Sequence, residues 1–170
     1  MRARQARISD TPAIERMIRH YAERGLLLPR AEAEIRRKIA NFLVLEEDGN
    51  LMSCLALEKY GPDLAEIRSL AVHPEARGRG VGSKMIDFAF TTARRRAISR
   101  VFAVTQAPAF FLHLGFEAVQ RESLAKKIER DCRSCPKRPS CQLAAVIATV
   151  TPVRLALPPA GDRLTLTPQT

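Results

Sequence analysis

Aromatic and acidic side chains are both scarce in this 170-residue chain. Phe and Tyr make up 5% of it, tryptophan is absent, and 18 Asp and Glu stand against 28 Lys and Arg. So few aromatics leave little for stacking against bases, and no nucleic-acid-binding motif appears. The formal charge of +10 therefore reads as a solvated basic face, with Arg94, Arg95 and Arg96 near a helix C-terminus where cations are favoured. Long apolar runs are missing too. None approaches the roughly 20 residues needed to span a bilayer, and the opening MRARQARISD has no apolar core of a signal peptide. A cytoplasmic protein without a membrane segment is expected. Its 46% apolar residues suffice for one core and one domain.

The richest pattern is residues 64–82, LAEIRSLAVHPEARGRGVG. Ile67, Leu70 and Val72 suit a strand and His73-Pro74 stops it. Gly82, Met85, Ile86, Ala89, Phe90 and Ala93 then recur at helical spacing. The glycines therefore open a helix, where unpaired N–H groups and the positive end of the helix dipole attract anions such as a diphosphate. The spacing excludes two familiar loops. A Walker loop needs G-x-x-x-x-G-K-[ST], and a dinucleotide fingerprint needs G-x-G-x-x-G with a carboxylate ending the next strand. Here Gly78, Gly80 and Gly82 run G-x-G-x-G, and the next strand, residues 101–105, ends in Thr105 and Gln106.

Along the rest of the chain a short strand is expected around residues 6–8. Asp10-Thr11-Pro12 then caps a helix carrying Ile14, Met17, Ile18 and Tyr21, and a second helix carries Ile35 and Ile39. Residues 42–47 and 51–60 form a hairpin about Asp48-Gly49. A strand at residues 101–105, a short helix to Leu114, a strand from Phe116 and a last strand at residues 143–150 complete an α/β (α+β) order. Domain 1–150 and a proline-rich extension, 151–170, are the expected units.

Arg77-Gly78-Arg79-Gly80-Val81-Gly82, with Ala65-Glu66-Ile67, Leu70-Ala71-Val72 and Gly115-Phe116, resembles the GCN5-related N-acetyltransferase (GNAT) superfamily. The resemblance implies a central mixed, mostly antiparallel sheet flanked by helices, and acetyl-CoA as cosubstrate. It implies coenzyme contacts from Leu70, Ala71, Val72, Arg77, Gly78, Arg79, Gly80, Val81, Gly82, Ser83 and Phe111. The backbone N–H of Val72 would steady the oxyanion, and Glu66 would be the general base. Period-two alternation puts Glu66 on the face of Arg68, Leu70 and Val72. Phe111 stands where many relatives carry a tyrosine acid, and His113 is a weak substitute.

Several separated pieces further resemble the short amino-acid N-acetyltransferases that acetylate glutamate in arginine biosynthesis. These are Leu27-Leu28-Pro29-Arg30, residues 65–72, residues 101–105, Lys127-Ile128 and residues 131–136 with Cys141. A dicarboxylate acceptor needs cations, and Arg30, Arg68 and Lys127 are the candidates for this small-molecule substrate. A protein or peptide acceptor and a silent acetyl-CoA-binding module are the alternatives, and a homodimer is left open. Cys132, Cys135 and Cys141 form C-x2-C-x5-C. Structural zinc would want a fourth ligand, so reduced thiols packing a connector are preferred and no metal is assigned.

Overall fold

The computed structural model describes residues 1–150, so the extension expected at 151–170 lies outside the described residues. Seven strands form one sheet: β1 (Arg2–Gln5), β2 (Phe42–Glu47), β3 (Asn50–Lys59), β4 (Leu64–Val72), β5 (Arg100–Thr105), β6 (Glu117–Val119) and β7 (Ala144–Thr149). Their spatial order is β1-β2-β3-β4-β5-β7-β6. All neighbours are antiparallel except β4 and β5. The mixed, mostly antiparallel sheet is thus as expected. At the β2–β3 turn Asp48 and Gly49 both take positive φ, 51° and 80°, the conformation a two-residue hairpin matching strand twist requires.

Helices cover both faces. On one, α3 (Val81–Arg95) and α4 (Pro108–His113) bury Met85, Ile86, Ala89, Ala93 and Phe111 against Leu55, Leu57, Ala65, Ile67, Val101 and Val146. On the other, α1 (Thr11–Ala22) sets Ile14, Met17 and Ile18 with Ile35 of α2 (Glu32–Arg37) over Phe42, Val44, Cys54 and Ala56. A short turn α5 (Ala125–Lys127), running into a wider turn at Ile128–Cys132, follows Leu124. That residue packs with Tyr60, Leu64 and Phe102 on the same second face.

Three local expectations are corrected. The first strand runs Arg2–Gln5 rather than around residues 6–8. Asp10 accepts from the Arg7 N–H at 2.7 Å and draws residues 8–10 into a tight turn. Asp10 also leaves the end of α1 without a side-chain cap, its carboxylate being held by Arg4 at 2.6 and 3.0 Å. The third correction concerns β4, which does not alternate throughout. Its pairing to β3 steps from Ala56↔Arg68 to Cys54↔Ala71, two residues against three, and Ser69 has φ 53°. This bulge shifts the pleat by one residue. Glu66, Arg68 and Ala71 therefore share the α1 face, whereas Leu70 turns to the α3 core with Ile67.

Candidate active site

The two central strands pair in parallel only at Leu64↔Arg100, Ala65↔Val101 and Glu66↔Phe102. Beyond that point β4 continues with β3 and β5 continues with β7, so the sheet opens in a V with Glu66 at its apex. Polar backbone on the inner side of the V is left for other partners. The His73 N–H donates to the Met52 carbonyl, so strand alternation turns the Val72 N–H and C=O toward the opening. The Val72 carbonyl accepts from the Tyr21 hydroxyl of α1.

At the end of that strand Gly78 and Gly80 have φ 72° and 70°, and Gly80 forms the N-cap of α3. Both glycines face open space, so a ligand could reach the main chain there without meeting a Cβ. Gly82 serves packing instead. A Cβ there would come within 3.1 Å of the Phe110 ring, which lets α4 lie close against the start of α3. Arg77 donates to Tyr21 Oη at 3.1 Å with its guanidinium 5.1 Å from the ring centre, and Arg79 forks onto Glu47 at 2.7 and 3.0 Å. With both guanidinia engaged, the backbone amides and the dipole of α3 are the principal anion donors. This donor set suits a diphosphate, and the V suits a narrow thioester arm. Val81 is buried, and Ser83 is half-buried in the first turn. Phe111 is a core ring, 5% exposed and edge-on to Phe110 and Phe116, while His113 stays exposed.

On the opposite face Glu66 is buried among charges. Its Oε2 accepts from Lys127 Nζ and Tyr60 Oη, both at 2.9 Å, and Arg68 Nε lies 3.6 Å away. Lys127 Nζ also donates to Asp131 Oδ2 at 2.8 Å, and the single proton of the Tyr60 hydroxyl is shared between Asp131 and Glu66. Burial and the neighbouring Glu66 push the Tyr60 phenol far above its ordinary value, so it remains a donor. Burial would raise Asp131, yet bonds from Lys127 and Tyr60 hold it below the usual carboxylate range.

The strand register sets Glu58 directly opposite Glu66, with both side chains on one face. Two carboxylates so placed repel and require cations. Glu58 accepts from Lys38 Nζ at 2.8 Å and Arg68 Nη1 at 2.9 Å, with Arg130 at 3.5 Å and Arg30 at 3.9 Å. Arg30 itself donates to Glu34 at 3.1 Å. The structure thus brings Glu66, Arg68 and Lys127 together and sets Arg30 at the far edge of the same cluster. Sequence reasoning missed Tyr60, Glu58 and Arg130, and gave Asp131 no role. The available signal was Glu58, a carboxylate inside the apolar run LMSCLALEK. A cavity of about 820 Å³ bounded by Met17, His20, Tyr21, Met52 and His73 lies apart from these charges.

The cysteines do not gather. Cys54 is buried in β3, its thiol pushed up to about 12 by burial. Cys141 Sγ accepts from Arg121, and among the described residues no three His, Cys, Asp or Glu side chains converge as metal ligands.

A mixed sheet parted between its parallel strands, with a glycine turn that opens a helix after one of them, is an arrangement suited to an acyl-coenzyme A dependent N-acyltransferase. A model of the acetyltransferase (GNAT) domain matches residues 38–118. The chain is 36% identical over 147 residues to an uncharacterized N-acetyltransferase of Chlorobaculum tepidum, covering 86% of this chain and 95% of that protein. It is 33% identical over 135 residues to an amino-acid acetyltransferase of Mycobacterium tuberculosis, covering 77% of each. A solved N-acetylglutamate synthase from Neisseria gonorrhoeae, complexed with coenzyme A and N-acetyl-glutamate, matches with a TM-score of 0.81 at 32% identity. The match covers 88% of this chain but 35% of the synthase, so the chain spans about a third of that protein. The chain belongs to the GNAT acetyltransferase family, whose members transfer an acetyl group from acetyl-CoA to an amine.

Proposed function

We propose that this protein acetylates the α-amino group of L-glutamate and thereby serves arginine biosynthesis in the cytoplasm. Residues 1–150 form the transferase domain, with 151–170 as an extension. The observation that carries the reading is the place of Glu66. It lies at the apex of the strand opening and in one buried cluster with Arg68 and Lys127. A base there lies between an anion-binding turn and a set of cations, as transfer from a thioester to an amino acid demands.

Acetyl-CoA supplies the activated acetyl group. Leu70, Ala71 and Val72 flank its arm, Phe111 backs it from the core, and the turn from Arg77 to Ser83 holds the diphosphate. The Val72 N–H is aimed into the opening, where it steadies negative charge developing on the acyl oxygen. Glu66 takes a proton from the acceptor ammonium, directly or through water, and Lys127 and Tyr60 fix the carboxylate that does so. Arg30, Arg68 and Lys127 hold the acceptor carboxylates. The amine is itself a competent nucleophile once deprotonated, so no acyl-enzyme is needed.

The test is thiol release from acetyl-CoA with a panel of amino acids, peptides and polyamines, for the wild type and Glu66→Gln. Turnover with glutamate should fall at least a hundredfold in the variant, on the scale of a lost general base, with acetyl-CoA affinity within about threefold. Equal turnover removes Glu66 as base, and silence with every amine removes the enzymatic reading.

A further inference from the structure

The Val72 carbonyl points into the strand opening, on the path of the coenzyme arm, and it already has a partner. It accepts from the Tyr21 hydroxyl, which spends its one proton there and in turn accepts from Arg77 Nε at 3.1 Å. Arg77 belongs to the turn assigned to the diphosphate, and its guanidinium lies 5.1 Å from the centre of the same ring. One half-buried side chain of α1 therefore ties together a strand carbonyl and a turn cation, both beside the coenzyme's path.

The chemistry of the arm turns this contact into a competition. A pantetheine arm carries amides, each pairing an N–H donor with a C=O acceptor, and Val72 offers the complementary pair, as an edge strand does to an added strand. A hydroxyl that donates to the Val72 carbonyl takes the acceptor that an amide N–H of the arm requires. Tyr21 also closes α1, since its own carbonyl accepts from the N–H of Arg24 at 3.2 Å and of Leu26 at 3.0 Å. The Gly25 carbonyl between them accepts from Gln106 Nε2 at 2.8 Å, just past the end of β5. The end of α1 is thus stapled on both sides of the opening, to β4 by Tyr21 and beside β5 by Gln106. Tyr21 has room to leave, because it borders the cavity of about 820 Å³ that Met17, His20, Met52 and His73 also line.

We propose that Tyr21 is a positioning residue of the coenzyme site, a placeholder whose hydroxyl satisfies the Val72 carbonyl and yields it to an amide N–H of the arm when coenzyme enters. The exchange moves one hydrogen bond from the chain's own phenol to the ligand, so it lowers coenzyme affinity and eases departure of the spent thiol. The inference rests on the coenzyme placement above and is independent of which amine is acetylated. Tyr21 touches no reacting atom and acts through Val72.

The experiment measures, by calorimetry, the binding of coenzyme A and of 3′-phospho-ADP, which keeps the diphosphate and lacks the arm, to the wild type, Tyr21→Phe and Gly80→Ala. Phenylalanine keeps the ring, with its edge contact to His20 and its place beside Arg77, so the fold is not threatened and the hydroxyl alone is lost. Coenzyme A should bind Tyr21→Phe about fivefold more tightly, the scale of one net hydrogen bond, with the armless nucleotide within about twofold of the wild type. In a purely structural role, loss of the hydroxyl would weaken both ligands or leave both unchanged. Coenzyme A affinity that is unchanged or weakened in Tyr21→Phe, or equal tightening of both ligands, overturns the proposal. Gly80→Ala then tells which part failed. Weaker binding of both ligands to that variant leaves the coenzyme placement standing and removes only the role of Tyr21, whereas unchanged binding of both removes the placement as well.

Discussion

Replacing Lys127 with methionine isolates the charge that holds the cluster together. Methionine keeps most of the length and apolar body of the lysine stem, so packing against the Tyr60 ring is preserved and the ammonium alone is lost. That ammonium lies 2.9 Å from Glu66 and 2.8 Å from Asp131, with the lysine 8% and Glu66 3% exposed. Removing one partner of a buried ion pair costs about 3–5 kcal/mol, because the surviving ion stays desolvated. Two features place Lys127→Met at the lower end. Arg68 Nε is 3.6 Å from Glu66 and Tyr60 still donates to it, while Asp131 is 24% exposed and regains water. A loss of about 3 kcal/mol follows. For a chain of this size it lowers Tm by roughly 6–12 °C. Urea denaturation followed by circular dichroism measures it. Adding Glu66→Gln should recover about 2 kcal/mol, since a neutral amide in that position leaves no unpaired charge. A single-variant loss below about 1 kcal/mol, or a double variant no more stable than the single, would refute the view that Lys127 offsets the buried charge of Glu66.

Two further outcomes are expected. Gly80→Ala places a Cβ in open space but in the left-handed region, so it should cost about 1 kcal/mol of stability and weaken coenzyme A binding several-fold by calorimetry. Gly80→Asn, which tolerates that region better, should retain more of both. Loss of binding without loss of stability would separate the loop amides from its conformation. Acid unfolding should depend on Asp10, whose carboxyl the Arg4 hydrogen bond holds below its ordinary value against partial burial. Because the folded pKa is lowered, this stabilisation is full above the unfolded value of about 3.9 and disappears as pH falls through the folded one. Asp10→Asn should therefore cost about 1–2 kcal/mol at neutral pH, and the cost should shrink as the pH falls through the folded value. A gap that persists in acid would contradict the assignment.

Much of the frame was legible because it is local. Asp48-Gly49 specified a hairpin through the φ values it tolerates, and the spacing from Gly82 to Ala93 specified the buried stripe of α3. The turn from Arg77 to Gly82 was readable for the same reason. The candidate site was legible only in part. Glu66, Arg68 and Lys127 were picked out one at a time, but strict alternation in β4 misassigned Leu70 and Val72, since nothing in the sequence marks the bulge at Ser69. Tyr60 looked like the end of a strand and Glu58 like an ordinary member of one. Their roles come from residues they meet across the fold.

The sequence by itself determined the order of elements, the hairpin and the glycine turn that opens α3, because backbone sterics and side-chain periodicity act over a few residues. Tertiary structure decided where β4 leaves β5, which face each residue of β4 takes after its bulge, and that Glu58 and Glu66 confront one another. It also brought Lys127 to Glu66 across 61 positions of chain. Buried charges must be balanced by whatever the fold sets beside them, so the identity of those partners belongs to the packed molecule.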